Sequence, residues 1–186
     1  TPDAEFSNAT RVVQGDDGDV AMLAELVVAA APSCAGGIAF VGPPALYGRV
    51  GTELARIAQQ GEAAPGAPAG WFFHHFSDAI PGATHALFYA GLALDACGQG
   101  ADPALFRLDD AGTATLVARR GMQAPGASAG TTIDLVLPGA AIADDGRIAV
   151  LASLSALTAF TPYASYGFDL DDVLEPLAMT GNPTAM

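Results

Sequence analysis

Short apolar runs filled with Phe, Val, Ile, Leu and Tyr alternate along the whole chain with clusters of Gly, Pro, Asp and Asn. Such runs, bounded by turn formers, read as strands packed on one or both faces. Nowhere does a helical period persist without a Gly or Pro close by. Residues 53–60 carry the best helical pattern, but their counterpart at 114–120 lies in a β-like context, so both read as strand. The pattern predicts an all-β fold.

The runs also repeat. Asp144-Asp145-Gly146-Arg147-Ile148-Ala149-Val150-Leu151-Ala152-Ser153-Leu154 has a near copy in Asp16-Asp17-Gly18-Asp19-Val20-Ala21-Met22-Leu23-Ala24-Glu25-Leu26, and a looser one in the stretch His85 to Leu92. A second motif, Ala58 to Gly70 around Ala64-Pro65-Gly66, recurs at an offset of 60 as Ala118 to Gly130, around Ala124-Pro125-Gly126. The same offset lands on Ala178 to Pro183, a degraded third copy. Cutting after each copy gives units 1–66, 67–126 and 127–186, the pattern of a repeat architecture.

Each unit offers four candidate strands: Asn8–Val13, Val20–Val28, Gly37–Val41 and Glu53–Ala58; Trp71–Phe76, His85–Leu94, Ala104–Leu108 and Ala114–Arg119; Ile133–Leu137, Arg147–Leu154, Tyr166–Leu170 and Val173–Met179. The Asp-Asp-Gly pairs, and Asp109-Asp110-Ala111-Gly112, suit tight turns, since Asp bonds its own backbone and Gly supplies positive φ. The Ala-Pro-Gly segments read as connectors between units.

The strand and connector motifs resemble those of a tandem-repeat family of secreted bacterial proteins of unknown function. Its members repeat an Asn-Asp-x-Gly-x-Val-Ala-Phe strand and an Ala-Arg-x-Gly-Asp-x-Ala-Pro-Gly connector, and often carry cell-surface sorting signals. The resemblance implies β-propeller-like blades and an extracellular or cell-surface location, and brings no catalytic residues with it. Three blades are fewer than the four to eight or so that close a propeller. Three outcomes follow: two chains pair into a ring, copies associate into an open array or filament, or three units close around a pseudo-threefold axis as in a β-trefoil.

Composition narrows the partners. Acidic residues number 20 against 7 basic, a net charge of −13, which repels phosphate backbones and makes nucleic acid a poor partner. The longest apolar run, Val20 to Ala31, is broken by Glu25 and too short for a membrane span. A start at Thr1 without an initiating Met reads as a processed or trimmed chain, in keeping with export.

Candidate chemistry is sparse. Cys34 and Cys97 occupy like places in consecutive units; the choices are a disulfide stapling the units, a bond between chains, or two unpaired thiols. His74, His75 and His85 are the only histidines; adjacent strand residues face opposite ways, which sets His74 and His75 against sharing an ion. The readings are surface histidines or a zinc or copper site combining one of that pair with His85. Calcium is the one cofactor the acidic clusters invite, at Asp16, Asp17 and Asp19, at Asp144 and Asp145, or at Asp169, Asp171 and Asp172, although turn formation also accounts for them.

Trp71, Phe72, Phe73 and Phe76 form the densest aromatic cluster, either core or a platform for a sugar or protein partner, with Trp71, Phe73, His75 and His85 as the binding candidates. No nucleophile elbow, phosphate loop or dinucleotide fingerprint occurs. The expectation is a non-enzymatic secreted module for binding, of a protein or glycan ligand, or for structural assembly. Self-association through strand edges, using Thr1–Val13 or Gly181–Met186, is its counterpart. A hydrolase with an acidic loop-lined cleft is the enzymatic alternative.

Overall fold

A computed structural model describes residues 5–14, 20–27, 44–50, 53–82, 85–94, 101–155, 163–168 and 174–179. Three antiparallel sheets account for nearly all of them, and no helix occurs among them. The first sheet runs β1 (Glu5–Gln14), β2 (Val20–Val27), β3 (Pro44–Val50), β4 (Glu53–Gln59), in sequence order. The second repeats that meander with β5 (Phe72–Pro81), β6 (His85–Ala93), β7 (Asp102–Asp109) and β8 (Ala114–Arg119). In the third, β9 (Ile133–Val136) and β10 (Ala141–Ile142) both pair with β11 (Ile148–Leu154), followed by β12 (Tyr163–Phe168) and β13 (Leu174–Met179). Among the described residues no helix is long and apolar enough to cross a membrane.

Two strands depart from the expected positions. The third strand of the first sheet is β3, not Gly37–Val41, a segment outside the described residues. Pro44 opens β3, a position where a proline is tolerated in a strand. Gly48 interrupts the apolar run and so hides the strand in the sequence. A Cβ at Gly48 would lie 3.2 Å from both Ile57 and Leu108, so the glycine lets the first two sheets approach. In the third sheet the first strand is broken in two by Leu137-Pro138-Gly139, where Pro138 has no N–H and Gly139 turns with φ 99°. The segment β10 then resumes pairing beside β11.

The sheets stack face to face, with the second in the middle. One core lies between the first and second sheets and contains Leu46, Ala58, Phe73, Phe88, Ala90 and Phe106. The other, between second and third, contains Leu87, Tyr89, Leu105, Val117, Ile133, Val150 and Tyr166. Successive residues of a strand face opposite ways, so Phe88 and Ala90 serve one core while Leu87 and Tyr89 serve the other. This explains why β6 is buried almost continuously, whereas β11 alternates buried Ile148 and Val150 with exposed Ala149 and Leu151. Aromatic packing is densest at the first core, where Phe88 and Phe106 stack with centroids 5.1 Å apart, and Phe73 lies 5.1 Å from Phe106.

The two connectors fold alike, bond for bond. Gly61 N–H donates to Phe73 O (2.8 Å), Phe73 N–H to Glu62 O (2.9 Å) and Ala64 N–H to Trp71 O (3.0 Å). Gly121 N–H donates to Ile133 O (2.8 Å), Ile133 N–H to Met122 O (2.8 Å) and Ala124 N–H to Thr131 O (2.9 Å). Each connector is therefore a hairpin whose two arms belong to different sheets. Gly66 (φ 74°) and Gly126 (φ 71°) adopt the left-handed conformation that glycine takes without strain. A Cβ on Gly66 would meet Leu116 Cβ at 3.0 Å, and one on Gly126 would meet Pro176 Cγ at 2.7 Å, so each connector lies tightly on the last strand of the sheet that it opens.

Two polar side chains also tie the middle sheet to the third. The Tyr89 hydroxyl donates to Leu137 O and accepts from Ala140 N–H, both at 3.0 Å. Arg107, only 7% exposed, sets its guanidinium 5.0 Å from the centre of the Phe168 ring.

Candidate functional site

The outer face of the third sheet has the makings of a contact surface, and its shape follows from two small residues. Beside the Phe88–Phe106 pair, the middle sheet carries the paired residues Leu87 and Arg107, which reach into the third sheet. Beside the corresponding Val150–Tyr166 pair, the third sheet carries Ala149 and Gly167. Small side chains there leave a groove of about 490 Å³, lined by Ala141, Ala149, Gly167, Leu177, Arg147 and Glu175, and reaching the core residues Ile148 and Phe168. A Cβ on Gly167 would lie 3.3 Å from Leu177 Cδ2, so Leu177 forms a wall over the glycine.

Large apolar side chains are exposed on the same sheet, Leu177 among them as part of the lining. Leu135, Leu151 and Leu177 are 40%, 43% and 58% exposed. Val117, which corresponds to Leu177 at the offset of 60, is buried against the third sheet, as is Tyr89, which corresponds to Leu151. The third sheet thus presents outward the same positions that the middle sheet covers.

The turn before β11 borders the groove. Gly146 (φ 84°) N–H donates to Ala143 O at 2.8 Å, and Ala143 N–H donates to Arg147 O at 2.8 Å. Asp145 Oδ1 accepts from Arg147 N–H at 3.2 Å, and its Oδ2 accepts from Arg147 Nε and Nη2 at 2.8 Å each. These hydrogen bonds hold the Asp145 carboxyl below the usual range and pull the Arg147 guanidinium higher still. Arg147 and Glu175 are the ionisable residues of the lining, and Arg147 is already engaged. The arrangement offers apolar contact and shape rather than acid–base chemistry. Asp109 works in the same way in the middle sheet, its Oδ1 accepting from the N–H groups of Ala111 (3.0 Å) and Thr113 (2.7 Å).

The other residues singled out from sequence lie elsewhere. Cys34, Cys97, Asp16, Asp17, Asp19, Asp169, Asp171 and Asp172 fall outside the described residues. Phe73 is 2% exposed and sits in the first core, so its ring belongs to the packing and not to a surface platform. Trp71 is half-buried against that core, with the Arg119 guanidinium 5.5 Å from its ring centre.

His74 and His75 do meet, against the strand-alternation expectation, with Nδ1 atoms 3.3 Å apart. A register shift between Phe73 and His75 breaks the alternation there. The His75 ring lies over Gly91, where a Cβ would overlap it. Burial, then the neighbouring His74, lowers the His75 pKa. His85 opens β6 opposite Asp109, apart from that pair in the ladder. No group of three or more His, Cys, Asp or Glu able to hold a metal occurs among the described residues.

Sequence reading missed the groove because it sought chemistry in rare residues. The signal lay in common ones: Ala149 and Gly167 against Leu87 and Arg107 at matched places.

The model of a family of unknown function, DUF7453, matches residues 1–184, and the chain belongs to that family. No curated protein and no solved structure matches the chain.

Proposed function

With membership of this family as the premise, we propose that the chain is a non-catalytic module of an exported or cell-surface protein, built of tandem β units 1–66, 67–126 and 127–186, that works by stacking its third sheet on a protein partner. The observation that carries the reading is the exposure of Leu135, Leu151 and Leu177 on the sheet that also holds an apolar groove, at the end of a stack whose other sheets meet through such faces. Contiguous exposed apolar surface of this kind marks interaction sites. Arg147 and Glu175 are the charged groups of the lining, and a glycan would need more donors and acceptors than that. A protein surface fits better. Sheets packed in this way are how propeller blades meet, which supports the propeller-like reading.

The test is titration with bis-ANS, a dye that reports accessible apolar surface. At a dilution where the chain is monomeric, wild type is expected to show saturable fluorescence that Leu151→Glu combined with Leu177→Glu largely abolishes, with the circular dichroism spectrum unchanged. Equal dye binding by variant and wild type would place the working surface elsewhere and overturn the reading.

A further inference from the structure

We infer that the partner of the third sheet's outer face is the outer face of the first sheet in a second copy of this chain, in head-to-tail contact. The inference rests on the reading just given and names its occupant. The chain itself supplies the precedent. The first sheet meets the second, and the second meets the third, through faces used in one constant direction. A contact from third sheet to first sheet continues that series and needs no new kind of interface.

The first sheet carries the matching end. In β4, Ala58 and Ile57 pack toward the second sheet. Arg56 pairs with Tyr47 and Leu54 with Arg49 on the ladder, at the positions that alternate away from Gly48, which faces the second sheet. Leu54 is 50% exposed. Its counterpart at the offset of 60, Ala114, packs into the core between first and second sheets, so the same position is an interface position where a preceding sheet exists.

Charge does not oppose the contact locally. Arg56 is paired with Glu62 at 2.9 Å, and Arg147 with Asp145 at 2.8 Å, so these two cations are already neutralised. The overall charge of −13 acts at longer range and is screened by salt, with a Debye length of about 8 Å at physiological ionic strength. Association driven by apolar contact at Leu54 and at the third sheet's outer face therefore strengthens as salt rises. The contact is heterologous, so it closes a ring if the rotation allows and otherwise extends an array. Two copies would bring six sheets together, within the range of about four to eight that closed propellers use.

Sedimentation equilibrium over a wide concentration range, at low and high salt, tests this with two single variants. Wild type is expected to associate reversibly, and more strongly at high salt. Leu54→Glu blocks one end and Leu151→Glu the other; each puts a charge into an apolar contact, weakening association by about a hundredfold or more. Both side chains are exposed, so at a dilution where wild type is monomeric both variants keep its melting temperature. Mixed one to one, the two variants form a dimer that neither forms alone, because each retains the end that the other lacks.

A monomeric wild type at every concentration overturns the inference, as does a mixture that stays monomeric. So does loss of association in Leu151→Glu without loss in Leu54→Glu, which would mean that third sheets pair with each other. These failures differ from failure of the parent reading, which shows as dye binding indifferent to Leu151 and Leu177.

Discussion

Replacing Tyr89 by Phe removes one oxygen atom from the join between the second and third sheets. That oxygen accepts from Ala140 N–H and donates to Leu137 O, each at 3.0 Å. Tyr89 is 8% and Ala140 7% exposed, so water does not readily replace the lost hydroxyl. A net hydrogen bond contributes about 1 kcal/mol, and a buried donor left unsatisfied costs about 1–3 kcal/mol. Leu137 is only half-buried and its carbonyl is the less costly of the two to orphan. The expected loss is about 2 kcal/mol. For a chain of 186 residues each kcal/mol moves the melting temperature by about 2–4 °C, so Tyr89→Phe should melt about 4–8 °C below wild type.

The pH dependence provides a second reading of the same atom. Burial raises the Tyr89 pKa above the usual tyrosine value, opposed by the Ala140 N–H and assisted by the Asp78 charge. The native state then holds this proton more tightly than the unfolded chain does. Stability therefore falls as pH rises from the ordinary tyrosine pKa through the raised native one. Wild type should lose its advantage over Tyr89→Phe across that alkaline window, measured as urea midpoints from neutral pH upward. A variant within about 0.5 kcal/mol of wild type at neutral pH, the scatter of an ordinary surface substitution, would refute the role given to the hydroxyl.

Tyr166→Phe should behave oppositely: its hydroxyl is buried with no partner among the described residues, and the matching position in the middle sheet is Phe106, so urea unfolding should show unchanged or slightly higher stability. Gly126→Ala and Gly130→Ala both place a side chain at positive φ (71° and 86°), but only the first meets Pro176, at 2.7 Å; thermal melts should show Gly126→Ala the more destabilised, by at least about 1 kcal/mol. The His75 ring should titrate below the ordinary histidine value of 6.5, followed by NMR of its Cε1 proton; a midpoint at or above that value would contradict the burial assigned to it.

The strands and their order were legible because turn chemistry and β-rich runs are local. Asp109 and Asp145 do in the structure what Asp does in any tight turn, and the Ala-Pro-Gly connectors declare themselves by repetition. Where local signals were ambiguous the reading slipped. The sequence pattern places the third strand of the first unit at Gly37–Val41, since β3 carries Gly48, which lets Ile57 and Leu108 come close. Phe73 reads either as core or as a surface platform, because nothing local distinguishes an aromatic residue bound for the core between sheets from one bound for solvent. The bulge that brings His74 against His75 depends on pairing with β6, a partner distant in sequence. The groove was invisible for a related reason: Ala149 and Gly167 matter only as neighbours across a ladder.

The hairpin connectors bear on how the molecule yields to force or heat. Gly61 bonds Phe73 and Gly121 bonds Ile133, so the backbone of each sheet is stitched to the first strand of the next. Peeling any one sheet from the stack tears backbone hydrogen bonds that its neighbour also uses. Three meanders that could each have melted alone are thereby coupled into one transition. Amide exchange in the strands on either side of each connector, from β5 to β9, should accordingly be slowed to one common rate.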